Sequence, residues 1–373
     1  MKKTVLGIMS GSSLDGLDFA ICTFNYSLED GSFWMLDWRI EEAVTDTFPP
    51  AWRARLEMAP HLPGRELWRL HTDLGRWIGD RAAAFLRGYS GPAPTLTGSH
   101  GHTVFHDPSL RFTTQIGDGA AIAHALGLPT VTELRGADIA AGGQGAPLAP
   151  VADKYLFTDY SAFLNLGGIA NLSVRGKDDR FVAGDISGCC QVLDRLAQLA
   201  GLPYDDNGRL ARRGRFQAEL AGQIAALPYH GNPYPKSLGN DWVVESLWPL
   251  LRNSSHSTAD RLHTFVKWLA VKIATDFEAL GGVAGAENGG ESKVLVTGGG
   301  ARNGFLLEQL NLAGSQAAGL NFVTPNDETA DFKEAALVAL CALLRTLELP
   351  NSLPAATGAA YATSNGAVYL PSR

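Results

Sequence analysis

Residues Gly7 to Asp18, GIMSGSSLDGLD, place anion donors and cation ligands in one short stretch. Gly11, Ser12 and Ser13 offer backbone N–H groups and hydroxyls to an anion. Asp15 and Asp18 offer carboxylates that suit magnesium or its water shell. The flanks narrow the reading. Thr4 to Ile8 is strand-like, and so is Phe19 to Phe24. A third run follows, in which Trp34, Leu36, Trp38 and Ile40 alternate with polar or flexible neighbours. The turn therefore joins two strands. A phosphate loop of the Walker type needs Gly-Lys-Ser/Thr opening a helix, and this stretch has no Lys. A dinucleotide fingerprint also needs a helix after its last Gly. An anion-binding hairpin remains, alongside a plain tight turn built from ordinary turn residues.

The other chemical candidates are scattered. Glycines cluster at Gly142 to Gly145, Gly167 to Gly168, Gly184 to Gly188 and Gly298 to Gly300. Most follow apolar runs, and glycine lets a backbone approach a ligand closely. Asp185 follows Phe181 to Ala183, which reads as a strand, and sits among Gly184, Ser187 and Gly188. Such an Asp is either a turn or capping residue or a general base in a cleft. His100 and His102 would share one face of a strand, with His106 nearby and Asp107 or Asp118 as a third ligand. No Cys adjoins them and no HExxH pattern occurs, so hydrogen bonding is favoured over a transition-metal site.

These groups must be positioned by an α/β framework. Leu67, Leu70, Leu74, Trp77, Ile78 and Phe85 have helical spacing. Asp118 is placed to cap a helix that stops at Gly127, with Pro129 behind it. Leu262 to Leu280 and Phe332 to Leu343 predict two further helices. Phe163 to Leu166 and Lys293 to Val296 read as buried strands ending in Gly, and Gly281 to Ser292 as an exposed Gly-rich loop. A hairpin near Gly11 and another near Gly168 suggest two related domains facing each other across a cleft.

Composition sets the class. The chain has 373 residues, 45% hydrophobic and 18% charged, with a net charge of −7. That suits a soluble protein of about two domains. No basic run or stripe invites nucleic acid. Two lysines open the chain without a long apolar core behind them, so no signal peptide is expected. No apolar run is long enough to predict a membrane span. The four cysteines, Cys22, Cys189, Cys190 and Cys341, form no CxxC pair, which fits a reducing cytoplasm.

Several motifs together resemble the anhydro-N-acetylmuramic acid kinase family. They are GIMSGSSLDGLD, SHGHTVFH (Ser99 to His106), TQIGDGAAIA (Thr114 to Ala123), RGADIAAGGQGAPLAP (Arg135 to Pro150), LNLGGIANLS (Leu164 to Ser173), LPYDDNGRLARRG (Leu202 to Gly214), PKSLG (Pro235 to Gly239) and VTGGGARN (Val296 to Asn303). The resemblance runs almost end to end. It implies the two-domain actin-like, hexokinase-like ATPase fold, with nucleotide and sugar in a cleft between the domains. Residues 1–135 would form the first domain, able to pack with 350–373, and residues 136–349 the second. It implies ATP-dependent opening of the 1,6-anhydro ring of anhydro-N-acetylmuramic acid. Water enters at C1 and the γ-phosphate goes to O6. The products are N-acetylmuramic acid 6-phosphate and ADP, within peptidoglycan recycling. A homodimer is also implied.

The resemblance assigns roles residue by residue. Gly11, Ser12, Ser13, Leu14, Asp15, Gly16, Leu17 and Asp18 match the first phosphate loop, with Asp15 and Asp18 toward Mg2+. Gly167 and Gly168 match the second phosphate hairpin. Gly298, Gly299, Gly300 and Asn303 match the nucleoside loop. Asp185 matches the catalytic base. His100, Arg135, Asp138 and Glu334 fall at the sugar site, where Arg135 suits the lactyl carboxylate. Glu334 would stand at a helix N-terminus, where a first-turn Glu is also common for the helix dipole alone. Three departures stand out. Ser12 replaces a usual Thr, and Glu133 replaces an Asp two residues before the Arg. Asp185 is followed by Ile186, Ser187, Gly188, Cys189 and Cys190 instead of Thr-Gly-Pro-Gly-Asn. The last change leaves room for a kinase of another anhydro- or amino sugar. A nucleotide-binding regulator without turnover would have no reason to keep Asp185, Arg135 and Glu334.

Overall fold

The computed structural model describes residues 1–373 apart from 12–13, 177–180, 235, 281–291, 318 and 372–373. The expected loop at Gly281 to Ser292 falls almost wholly outside the described residues. Met1–Phe157 and Asp327–Arg373 form one compact unit, and Thr158–Asn326 a second.

In the first unit a six-stranded sheet runs in the order Ala367–Tyr369, Thr130–Thr132, Thr97–Ser99, Lys2–Ser10, Gly16–Glu29, Ser32–Thr47. Lys2–Ser10 pairs antiparallel with Gly16–Glu29, so the Gly11 turn closes a hairpin. Its other edge pairs parallel with Thr97–Ser99. One face carries Leu6 and Ile8, packed with Leu70, Leu74 and Ile78 of the Gly64–Gly88 helix and Ile122 of the Gly119–Leu126 helix. The other face takes the Asp327–Thr346 helix. A Cβ on Gly7 would lie 1.9 Å from the Ala335 carbonyl oxygen, and one on Gly98 2.6 Å from that of Val338. Gly7 thus serves helix-on-sheet contact, not the turn. Ser32–Thr47 is an edge strand, so Trp34 and Leu36 are exposed, while the Trp38 indole donates to the Leu156 carbonyl (2.6 Å).

The second unit's five-stranded sheet runs Phe181–Gly188, Ile169–Arg175, Ala162–Leu166, Ser292–Thr297, Leu320–Val323. The first three strands form an antiparallel meander, and the next two join parallel. The helices Cys190–Leu199, Thr258–Ala279 and Gly304–Ala317 enclose its core, with Leu193, Leu196, Phe265, Leu269 and Leu306 buried against the strands. Each unit therefore follows one plan: three antiparallel strands, then parallel strands added beside the first.

The units are cut at 157/158 and 326/327, not at 135/136 and 349/350. The reason is packing. The Asp327–Thr346 helix lies on Lys2–Ser10 and also meets the Ala149–Tyr155 helix, so both helices join the first unit.

Candidate active site

The first hairpin turn carries one strained residue among those described. Leu14 takes a left-handed backbone (φ 56°), a conformation that costs a branched side chain about 1–3 kcal/mol and marks a backbone set by its surroundings. Ser12 and Ser13 lie outside the described residues. Gly11 is half-buried and Asp15 is exposed. Gly16 and Leu17 belong to the sheet: a Cβ on Gly16 would press on the Asp46 carbonyl, and Leu17 is core. Neither presents a side chain to a ligand. Asp18 is half-buried on the Gly16–Glu29 strand, and Thr45 donates to its Oδ1 (2.6 Å). Burial pushes the Asp18 pKa up, the Thr45 bond opposes this, and the charges of Asp331 and Asp15 push it up further. The like charges of Asp15 and Asp18 are the part of this arrangement that a divalent cation would relieve.

In the second unit Gly167 and Gly168 turn the hairpin between Ala162–Leu166 and Ile169–Arg175. Their carbonyls accept from Cys190 N–H (3.0 Å) and Cys189 N–H (2.8 Å), which ties the turn to the start of the Cys190–Leu199 helix. The nucleoside-type loop sits on the same turn. Gly298 has φ 84°, and its Cβ would lie 2.7 Å from the Leu166 carbonyl oxygen; a Cβ on Gly300 would lie 2.7 Å from the Leu166 Cβ. Those two glycines are explained by packing. Gly167, Gly168 and Gly299 are not. None has a positive φ, and an added Cβ would meet nothing nearer than 3.5 Å at Gly167, 4.0 Å at Gly168 and nothing within 4 Å at Gly299. Glycine there leaves open space over the loop, as a bound phosphate or nucleoside requires. Asn303 caps a helix. Its Oδ1 accepts from Leu306 N–H (3.1 Å) at the start of Gly304–Ala317.

Asp185 does not follow a strand; it lies inside one. Phe181–Gly188 continues past it, with a bulge between Asp185 and Ser187. Bulges re-aim side chains beside active sites. The PKSLG segment clamps the residue. Asp185 N–H donates to the Lys236 carbonyl (2.9 Å), and its Oδ2 accepts from Leu238 N–H (2.7 Å) and the Ser237 hydroxyl (3.3 Å). The Tyr229 hydroxyl donates to the Asp185 carbonyl (2.9 Å), and the Lys236 ammonium lies over the Tyr229 and Tyr234 rings. Both side-chain bonds use Oδ2, so Oδ1 remains for a water. The altered residues after Asp185 are absorbed by packing. Ile186 and Cys189 are buried, and Ser187 donates to His230 Nε2 (3.2 Å), whose Nδ1–H donates to the Ile224 carbonyl. Burial lowers the His230 pKa to about 4. The sequence alone gives Ser237 and Leu238 no role. The signal that points to them is the PKSLG motif itself, whose described residues have no strand or helix of their own.

The sugar-site candidates of the first unit form a chain of contacts. His100 is buried, and its Nδ1–H donates to the Gly101 carbonyl (3.0 Å). Its Nε2 accepts from Arg135 Nε–H (2.9 Å). Burial first, then the Arg135 charge, brings the His100 pKa to about 4, so the ring is neutral. Arg135 Nη1 donates to the Gly145 carbonyl (2.8 Å). Asp138 does not line an open site. It is 1% exposed, and its carboxylate accepts from Gly145 N–H (2.8 Å) and the Thr357 hydroxyl (2.8 Å). Glu334 is exposed and lies eight residues into the Asp327–Thr346 helix, not in its first turn. Burial lowers the Arg135 pKa, and the Glu334 charge opposes that. Glu133 has a left-handed backbone (φ 61°) and accepts from the Tyr369 hydroxyl. His100 precedes the His102–Asp107 strand, with Gly101 at φ 71° between them, so the two histidines do not share a strand face. Among the described residues no group of three His, Cys, Asp or Glu could hold a metal.

Residues 3–371 match the family described as Anhydro-N-acetylmuramic acid kinase. The chain belongs to the anhydro-N-acetylmuramic acid kinase family. It is therefore a kinase, a phosphotransferase with an alcohol group as acceptor, and a user of ATP. A relative named anhydro-N-acetylmuramic acid kinase from Gloeobacter violaceus is 34% identical, with 98% of this chain and 98% of that protein covered. Another of the same name, from Streptomyces coelicolor, is 32% identical over 98% of this chain and 93% of that one. Among solved structures, a ligand-bound xylulose kinase from Lactobacillus acidophilus is similar at 11% identity and a TM-score of 0.46, covering 99% of this chain and 94% of that one. No helix among the described residues is long and apolar enough to cross a membrane.

Proposed function

We propose that this kinase opens the 1,6-anhydro bond of anhydro-N-acetylmuramic acid with water and phosphorylates O6 from ATP. Asp185 Oδ1 takes a proton from the water as its oxygen bonds to C1. The C1–O6 bond breaks and its electron pair goes to O6. O6 bonds to the γ-phosphorus, whose bond to the ADP oxygen breaks. The products are N-acetylmuramic acid 6-phosphate and ADP. The observation that carries this reading is the clamp on Asp185, which fixes Oδ2 with two donors and leaves the other oxygen for the proton.

The geometry of each unit supports the remaining roles. The open glycines Gly167, Gly168 and Gly299 receive phosphate and nucleoside. Arg135, held by Nε and Nη1, keeps Nη2 toward the lactyl carboxylate, and neutral His100 fixes its plane. Glu334, exposed on its helix, is assigned to the sugar hydroxyls. Asp15 and Asp18 would hold Mg2+, which when bound neutralises phosphate charge. All four cysteines carry free thiols, which supports work in a reducing cytoplasm during peptidoglycan recycling.

Turnover in H2 18O with ATP and the anhydro sugar tests the reading. One 18O should appear at C1 of the product, with phosphate on O6. ADP release independent of the sugar would sink it and favour a regulator. Labelled turnover of a different anhydro sugar, but not this one, would favour the second reading, which the DISGCC segment motivates.

A further inference from the structure

The residues around Arg135 are held from the far end of the chain. The segment Gly143 to Gly145 runs between Asp138 and the C-terminal residues. Gly143 N–H donates to the Asp138 carbonyl (2.9 Å), and Gln144 N–H to the Thr357 carbonyl (2.8 Å). Gly145 N–H donates to Asp138 Oδ2, and the Gly145 carbonyl receives Arg135 Nη1. Asp138 Oδ1 accepts from the Thr357 hydroxyl, and Asp138 N–H donates to Asn365 Oδ1 (2.9 Å). Asp138, Thr357 and Asn365 are each no more than 1% exposed. None can touch a substrate. A Cβ at Gly143 would press on Asp138 Oδ2 at 2.3 Å, so the segment has no slack toward the carboxylate. Gly145 has φ 66°, which turns its carbonyl toward Arg135.

We infer that Thr357 is a positioning residue: through Asp138 and Gly145 it sets the orientation of the Arg135 guanidinium and so the affinity for the carboxylate-bearing sugar. The inference rests on Arg135 as the carboxylate ligand. A buried carboxylate that loses one donor must turn to find another partner, and because Gly143 to Gly145 pack against it without slack, the segment must move with it. The carbonyl that holds Nη1 then shifts. Orientation matters more for a guanidinium than for a point charge, because its N–H donors point in fixed directions within one plane.

Thr357→Val keeps shape and removes the hydroxyl. Steady-state kinetics should show the KM for the anhydro sugar raised about tenfold, with kcat and the KM for ATP changed less than about twofold. Thr357→Ser should restore the wild-type values. Nitrogen-15 NMR of His100 gives a readout that loose packing alone would not move. The Gly101 carbonyl holds the Nδ1–H tautomer, and Nε2 accepts from Arg135; in Thr357→Val the Nε2 resonance should move toward that of an unbonded ring nitrogen, with Nδ1 still protonated. Arg135→Ala calibrates the test. If it leaves the sugar KM unchanged, the carboxylate reading of Arg135 fails. If it raises the sugar KM and Thr357→Val does not, the positioning role fails while that reading stands. If Thr357→Val does not fold, Thr357→Ala, which leaves room for a water, carries the same expectation. Failure of both to fold, seen by circular dichroism, would overturn positioning in favour of a purely structural role.

Discussion

Arg135 Nε and His100 Nε2 stand 2.9 Å apart, and the contact is possible only with a neutral histidine. The folded pKa of His100 is about 4 and that of His230 is also about 4, against an ordinary 6.5. Both values are depressed by burial. Above pH 6.5 both folded and unfolded chains hold these rings neutral, and the full stability is present. As pH falls below 6.5 the unfolded chain binds protons that the folded one refuses, so stability drops until the folded rings titrate near pH 4. Melting temperature should therefore fall between about pH 6.5 and 4. His230→Gln should flatten that dependence relative to wild type. An unchanged slope would mean that His230 titrates alike in the folded and unfolded chains.

Gly168 and Gly299 separate ligand from fold. Neither has a positive φ, and an added methyl meets no protein atom nearer than 4.0 Å at Gly168 and none within 4 Å at Gly299. Ala at either site should leave stability equal or raise it by about 0.4–1 kcal/mol, through lost freedom in the unfolded chain. ATP affinity by calorimetry should fall, because the methyl occupies the space kept for the ligand. Gly298→Ala should do the opposite to the fold: with φ 84° and a 2.7 Å approach to the Leu166 carbonyl, it should lower the melting temperature. Unchanged ATP affinity in both Gly168→Ala and Gly299→Ala would remove the nucleotide from these loops.

Local signals were legible in the sequence where neighbours along the chain decide the structure. Asp118 accepts from Ala120 and Ala121 N–H, and Gly127 ends the helix at φ 64°, as capping rules require. Both hairpins formed around Gly11 and Gly168 because antiparallel neighbours need only a turn. Long-range partners were not legible. Nothing near Asp138 announces Thr357 or Asn365, so a structural carboxylate read as a sugar contact. Glu334 read as a first-turn residue because Asp327 to Asp331 carry no apolar spacing before Phe332. The unit boundary failed for the same reason: a helix that follows the second unit in sequence packs on the first unit's opening strand.

Asp18 tests the cation. Burial raises its pKa, and Asp331 and Asp15 add to the rise against the Thr45 bond. A bound divalent cation should reverse that balance and hold Asp18 ionised. Chelation with EDTA should stop turnover, and Mg2+ should restore it. Asp18→Asn should raise the Mg2+ concentration for half-maximal activity several-fold, with the fold intact because Asn still accepts from Thr45. Identical Mg2+ titrations for the variant and wild type would remove Asp18 from the metal.

Asp185→Asn is the sharpest test of the chemistry. Asn keeps the shape of Asp, and its carbonyl oxygen can still accept from Leu238 N–H and Ser237. The bulge, the Lys236 contact and the Tyr229 contact all use the backbone of residue 185, so they persist. The fold and ATP binding should survive. The amide puts an NH2 where Oδ1 stood, and it cannot accept a proton from water at neutral pH. Losing a general base typically costs about 10²- to 10⁴-fold in rate, or roughly 3 to 5 kcal/mol in barrier. Because O6 becomes a nucleophile only as C1–O6 breaks, ring opening and ADP release should fall by the same factor. Single-turnover assays that follow both products decide the matter. ADP release at the wild-type rate without ring opening would mean that phosphoryl transfer to water has replaced transfer to the sugar. Wild-type rates for both would assign the base to another residue.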